Sequence, residues 1–135
     1  MARAPRLTLI TVLAITLAML VSCGTCSPAP FITSITPSSA TAAGSQFLMT
    51  VNGNNFRHDS VVSWNGFSVV TTFVSSHQLV ASITATDIHE PGTVLVSVFN
   101  PPEDSTTFVS GAIGVMSATT CSGKTSNAVS FAISP

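Results

Sequence analysis

The stretch FLMTVNGNNFRHDSVVSWNGFSVVTTFV, Phe47 to Val74, decides the fold. Phe47, Met49 and Val51 recur with the period of a β-strand and share one of its faces. NGNNF, Asn52 to Phe56, follows as a turn, because Asn and Gly tolerate left-handed backbone. In SVVSW, Ser60 to Trp64, Val62 and Trp64 again point the same way. Asn65-Gly66 is the strongest short turn signal in the chain, and VVTTFV, Val69 to Val74, is the strand after it.

The same pattern continues outward. SSHQ is a turn, and LVASI sets Leu79, Ala81 and Ile83 on one face. TATDIHEPG, Thr84 to Gly92, is a corner, with one helical turn expected at Asp87 to His89. TVLVSVFNP aligns Val94, Val96 and Val98, and NAVSFAI aligns Val129, Phe131 and Ile133. Toward the N-terminus, PFITSITP, Pro30 to Pro37, is a short edge strand, since its flanking prolines cannot donate to a ladder. No helical periodicity occurs from Ser27 onward. About seven short strands in roughly 100 residues predict an all-β, immunoglobulin-like β-sandwich. The outward positions are mostly Ser, Thr, Ala and Asn, which solvate a β surface without charge. Trp64 is the expected core anchor, with an indole N–H that needs a partner.

The beginning of the chain is of another kind. Arg3 and Arg6 precede LTLITVLAITLAMLV, Leu7 to Val21, an uncharged run shorter than the ~20 apolar residues a membrane-spanning helix takes. A basic start, an apolar core and small residues at its end describe a secretory signal. The run closes with LVSC, Leu20 to Cys23, which resembles the bacterial lipobox. That resemblance implies a lipoprotein signal peptide over residues 1–22, lipidation of the Cys23 thiol, a membrane anchor, and a short linker over residues 23–29. Gly24 in place of Asp implies the outer membrane or cell surface in a Gram-negative cell. The alternative is ordinary signal cleavage nearby, with Cys23 a plain thiol. Past the leader only Arg57 and Lys124 remain of the four Lys and Arg residues, against five acids, Asp59, Asp87, Glu90, Glu103 and Asp104. An exported, acidic chain without a basic patch is a poor partner for nucleic acid. Its length makes one domain with a single modest core.

Several short signatures then stand in order: P-x-I-x-x-I-x-P from Pro30, Ala-Gly-Ser before a strand ending V-N-G-N-N-F, V-x-W-N-G, P-G-T-V-x-V-x-V-x-N-P, and S-N-A-V-S-F. Together they resemble the IPT/TIG domains of bacterial surface proteins, from Pro30 to Ile133. The resemblance implies an early-set immunoglobulin-like domain over residues 30–135. It implies structural roles for Gly53, Asn54, Asn55 and Phe56, with Gly53 at positive φ in the turn and Phe56 plugging the core. It also implies a non-enzymatic module of the cell envelope, structural, adhesive or binding a protein or glycan. The alternative is a carbohydrate-binding or spacer module cut from a larger multi-domain surface protein or enzyme. One departure from the family is a long insertion over residues 101–126, between the last two strands. It holds TTFVSGAIGVMSATT, Thr106 to Thr120, expected to form an extra hairpin that rests on lipid or a partner, or folds over the sandwich end.

Within that insertion, ATTCSGKT, Ala118 to Thr125, fits the loose phosphate-loop pattern. Such a loop needs a following helix and an acid for magnesium. After Thr125 the chain reads SNAVSFAISP, strand-like and free of acids, so no nucleotide is expected. His58, Asp59 and Ser60 are triad residue types, but sequence neighbours do not converge as a triad must, and they read as a solvated loop. His58, His77 and His89 stand singly, without metal-ligand spacing. Asp87 with Glu90, and Glu103 with Asp104, read as solubilising acids and not as a paired-carboxylate site. No catalytic residue, metal or cofactor is implied.

With Cys23 lipidated, Cys26 and Cys121 are left as an even pair in an oxidising compartment. In a sandwich of this kind the entering chain and the loop between the last two strands share one pole. A Cys26–Cys121 disulfide is therefore expected, within the ~5.5–6 Å Cα spacing such bonds prefer. Two free thiols, or a bond to another chain, are the alternatives.

Overall fold

The computed structural model describes residues 26–106 and 118–135. The leader, Cys23 and the middle of the insertion lie outside the described residues. The described elements are all strands: β1 (Phe31–Thr36), β2 (Ser39–Thr41), β3 (Phe47–Asn54), β4 (Val61–Trp64), β5 (Phe67–Ser68) and β6 (Thr71–Ser75). Then come β7 (Gln78–Ile83), β8 (Gly92–Asn100), β9 (Glu103–Thr106), β10 (Ala118–Cys121), β11 (Lys124–Thr125) and β12 (Val129–Ser134). Residues 26–104 and 120–135 form one compact unit.

Two sheets make that unit an immunoglobulin-like sandwich. One has the order β1-β3-β7-β6, and the other β2-β12-β8-β4-β5, with β11 also pairing β8. The pairing is antiparallel except where β12 runs parallel to β2, Ala132 opposite Ser39. Period-two patterning fixes which faces meet, since a one-residue slip would turn every apolar residue outward. Met49 and Val51 face inward from one sheet with Leu79, Ala81 and Ile83, and Val62, Val94, Val96, Val98 and Phe131 face them from the other. Phe131 is the hub. Its ring lies 5.8 Å from that of Phe47 and 5.0 Å from that of Trp64, which is buried as an anchor should be.

Asn65 and Gly66 both take positive φ, 51° and 90°, and close the hairpin that sets Trp64 opposite Phe67. This is the geometry a two-residue hairpin needs to match strand twist. The turn after β3 differs from expectation. Gly53 is not in the turn but inside β3, opposite Ile32, and the left-handed residue is Asn55 at φ 62°. Gly53 is needed for space. A Cβ there would overlap the Phe31 carbonyl oxygen and stand 2.7 Å from Phe56 Cζ, the ring that fills the core beside it.

The corner from Thr84 contains no helical turn. It is a single hydrogen-bonded turn, in which the Asp87 N–H donates to the Thr84 carbonyl at 3.1 Å and Asp87 Oδ2 accepts from the Thr84 N–H at 2.8 Å and the Thr84 hydroxyl at 2.7 Å. Ile88 from this corner is buried in the core. β1 is an edge strand, as its prolines require, and its edge is covered. Asn127 Oδ1 accepts from the Ile32 N–H at 2.8 Å, and Asn127 Nδ2 donates to the Ile32 carbonyl at 3.0 Å. One amide side chain thus stands in for a ladder rung. The described ends of the insertion, β9 and β10, pair as a two-stranded sheet, the stem of the expected hairpin.

Candidate functional site at the disulfide-bonded end

Cys26 and Cys121 are bonded, with their Cα atoms 5.6 Å apart. The fold brings them together because Cys26 precedes β1, Cys121 ends β10, and β11 then pairs with the end of β8 through Lys124 and Asn100. Around the bond lies a charge network that joins residues far apart in sequence. Glu103 accepts from the Ser27 N–H at 3.1 Å and from the Ser27 hydroxyl at 2.6 Å. Lys124 Nζ donates to the Ser27 carbonyl at 2.8 Å. Ser27 is held on three sides, so the chain entering the domain is fastened by an acid and a base as well as by sulfur.

Arg57 completes the network. One guanidinium nitrogen contacts Glu103 at 3.0 Å and donates to the Pro101 carbonyl, and the other bonds Asp59 at 2.7 Å. Beneath it the Arg57 N–H donates to Ser60 Oγ at 2.7 Å, and the Ser60 hydroxyl donates to Asn100 Oδ1 at 2.5 Å. Asn100 Nδ2 then donates to the Asn55 carbonyl, and Asn55 Nδ2 to that of Ala29. Ser60 and Asn100 are buried, so their mutual bond satisfies groups that would otherwise be costly to bury. The Ser27 hydrogen bonds, more than the nearby Arg57 and Lys124 charges, hold the Glu103 carboxyl below its ordinary range.

Two sequence expectations are corrected here. Asp59 and Ser60 are not a solvated loop but members of this network; only His58 of that trio is exposed. Glu103 is not a free solubilising acid. In ATTCSGKT, where no nucleotide is expected, Ala118–Cys121 and Lys124–Thr125 are extended strands, and Lys124 donates to the Ser27 carbonyl. Gly123 is required by Phe99, whose Cζ would lie 2.6 Å from an added Cβ. Signals for the network are faint in sequence, because the partners of Ser27 stand 76 and 97 residues away and Ser60 and Asn100 are 40 apart.

The space enclosed by this network is about 10 Å³. That admits about one water, against the ~300–1,000 Å³ of a ligand pocket. Among the described residues this end is a fastening, without room for more than a water. Among the described residues no three His, Cys, Asp or Glu side chains gather as metal ligands.

The family model of the IPT/TIG domain matches residues 30–112, more than half of the chain. The chain belongs to the IPT/TIG family. No curated protein matches it. The matched span of the IPT/TIG domain runs from β1 through β9, and β12, beyond it, completes the second sheet. IPT/TIG domains are in general non-catalytic structural or binding modules. The fastening joins Cys26, Ser27 and Arg57, ahead of the insertion, to Glu103, Cys121 and Lys124 within it.

Proposed function

We propose that this protein is an exported bacterial lipoprotein whose IPT/TIG domain is a non-enzymatic structural, adhesive or ligand-binding module, anchored through Cys23 to the cell envelope. The Cys26–Cys121 bond carries the reading. Disulfides persist in oxidising compartments, in keeping with the secretory character of residues 1–22. The bond leaves Cys23 as the third cysteine, available for acylation. It also sets the reach of the anchor. From Cys23 to the fixed Cys26 the chain has only Gly24 and Thr25 between, ~10–11 Å when fully extended. The disulfide-bonded end then faces the membrane, and the Asn65-Gly66 end faces away from it. The non-enzymatic part rests on the side chains that could do chemistry: Asp59, Ser60, Glu103 and Asp87 are each committed to hydrogen bonds that hold the fold.

Mass spectrometry of the protein isolated from expressing bacteria tests this. The expected product begins at Cys23 and carries the added mass of acyl chains, and Cys23→Ala abolishes both the added mass and membrane retention. A mature N-terminus elsewhere, or an unmodified Cys23, overturns the lipoprotein reading.

A further inference from the structure

The two ends of the sandwich differ in charge and in shape. At the disulfide-bonded end Arg57 and Lys124 are matched by Asp59 and Glu103. The chain has no Lys or Arg between Arg57 and Lys124. Among the described residues, the opposite end, made of the Asn65-Gly66 hairpin and the Thr84 corner, therefore carries the Asp87 and Glu90 carboxylates with no Lys or Arg, and Glu90 lies 3.6 Å from His89. It also bears an open depression of about 300 Å³, at the lower bound of ligand-pocket size. Trp64, Phe67, Val69 and Val94 give it apolar walls, and Asp87 and His89 stand among its polar lining. Phe67 is 77% exposed, although its hairpin partner Trp64 is buried, and Val70 beyond the wall is 76% exposed. Asp87 is held in place, since Oδ2 takes both Thr84 bonds and leaves Oδ1 for another donor.

We infer that this depression binds an arginine side chain of a basic segment on a partner protein. A guanidinium is attracted to aromatic ring faces, is weakly hydrated, and stacks where an ammonium would not. Against Phe67 it would place its fork of N–H donors toward the fixed Asp87 carboxylate, a charge-assisted pairing. Glu90, next to His89, adds to the negative field at the rim. The apolar walls take the methylene stem, as such stems are covered elsewhere in proteins. Charge complementarity selects this occupant. An acidic segment would be repelled, and a neutral glycan, whose hydroxyls could donate to Asp87, would gain no charge pairing there. The inference rests on the binding-module part of the proposed function and is independent of the lipid anchor.

Trp64 is the only tryptophan and lines the depression, so the full chain reports on its own site. In detergent, a blocked Gly-Arg-Gly-Arg-Gly peptide should saturate a change in Trp64 emission, with parallel heat in calorimetry. Its Glu-for-Arg counterpart and a neutral pentasaccharide should not. Binding should weaken when salt rises from 20 to 300 mM, since exposed ion pairs are screened. Asp87→Asn keeps an acceptor for Thr84 and should weaken binding about threefold to tenfold, as should Phe67→Ala. Thermal midpoints measured alongside show whether each variant is folded. Absence of binding by both readouts, equal binding of the acidic peptide, saturation by the sugar alone, or a folded Asp87→Asn that binds like the parent overturns the inference. An acylated Cys23 in the same preparation leaves the anchor reading standing whichever way the titration falls.

Discussion

Reducing the Cys26–Cys121 bond removes a cross-link between residues 95 apart in sequence and leaves the hydrophobic cluster around Phe131 unaltered. In the chain-entropy account, opening a loop of that length costs about 4–5 kcal/mol, and losses of ~2–5 kcal/mol are typical when a native disulfide of a small secreted domain is removed. The cost falls on the unfolded state: the reduced chain has more conformations to gain on unfolding. For a domain of this size each kcal/mol moves the melting midpoint by ~4–8 °C, so 4 kcal/mol corresponds to about 15–30 °C. The assay is a pair of circular-dichroism melts and urea titrations, with and without a phosphine reductant. Alkylation and mass analysis count the thiols. The urea slope should rise on reduction, because an uncross-linked chain exposes more surface when it unfolds. The Ser27 fastening survives reduction, so the reduced protein should still fold at low temperature. Equal midpoints with Cys26 and Cys121 shown to be reduced would refute the entropy argument. Alkylation of both residues before any reductant is added would refute the bond itself.

Other expectations follow from particular contacts. Gly53→Ala should destabilise by about 2–3 kcal/mol, because β1 must move off the new Cβ, whereas Gly66→Ala should cost ~1–2 kcal/mol through its φ of 90° alone, with nothing within 4 Å; urea titration separates the two. Phe131→Ala should cost about 3–5 kcal/mol, since it removes the ring between Phe47 and Trp64, and Trp64 emission should shift to the red in the native state. Asn127→Ala should cost ~1–3 kcal/mol, because it leaves both polar groups of Ile32 without their partner, and hydrogen exchange at the Ile32 amide should speed up. Glu103 has a folded pKa below its ordinary value of 4.5. Its contribution is therefore fully present above that value and is lost as pH falls through the folded pKa. Melts from pH 7 to pH 3 should show the gap between the protein and Glu103→Gln closing toward the acid end; a gap that is constant with pH would contradict this.

Sequence showed the sandwich because its core strands advertise themselves locally. Met49 and Val51, Leu79 through Ile83, and Val94 through Val98 each repeat every second residue, and Asn65-Gly66 can hardly be anything but a tight turn. Gly53 misled for a physical reason. In Asn52-Gly53-Asn54-Asn55 every residue tolerates a turn, and only the approach of the Phe31 carbonyl decides which position must be glycine for space and which takes the left-handed backbone. β2 was invisible because Ser39-Ala40-Thr41 has no apolar alternation and is a strand only by virtue of β12, far along the chain. Ile88 was hidden in a polar corner. The Cys26–Cys121 pairing followed from topology, but the Ser27–Glu103–Arg57 network did not, since single polar residues carry no sign of partners so distant. The depression at Trp64 and Phe67 was likewise unreadable, because a strand pattern tells which way Phe67 points and not that its sheet ends beside it.

The disulfide also determines where mechanical tension would travel. A pull on the chain ahead of Cys26 passes through sulfur to Cys121 and bypasses everything between them. The loop from Ser27 to Thr120 then carries no tension along its own backbone and is loaded through the ladder bonds of β2 and β8 to β12. Tension is confined to the stretch that follows Cys121, β11 and β12. β12 would be drawn along its own axis, against an antiparallel neighbour in β8 and a parallel one in β2, so its ladder bonds would be sheared together instead of unzipped one by one. Stretching the oxidised protein should lengthen it by little more than those few residues, while the reduced protein should pay out almost the whole domain.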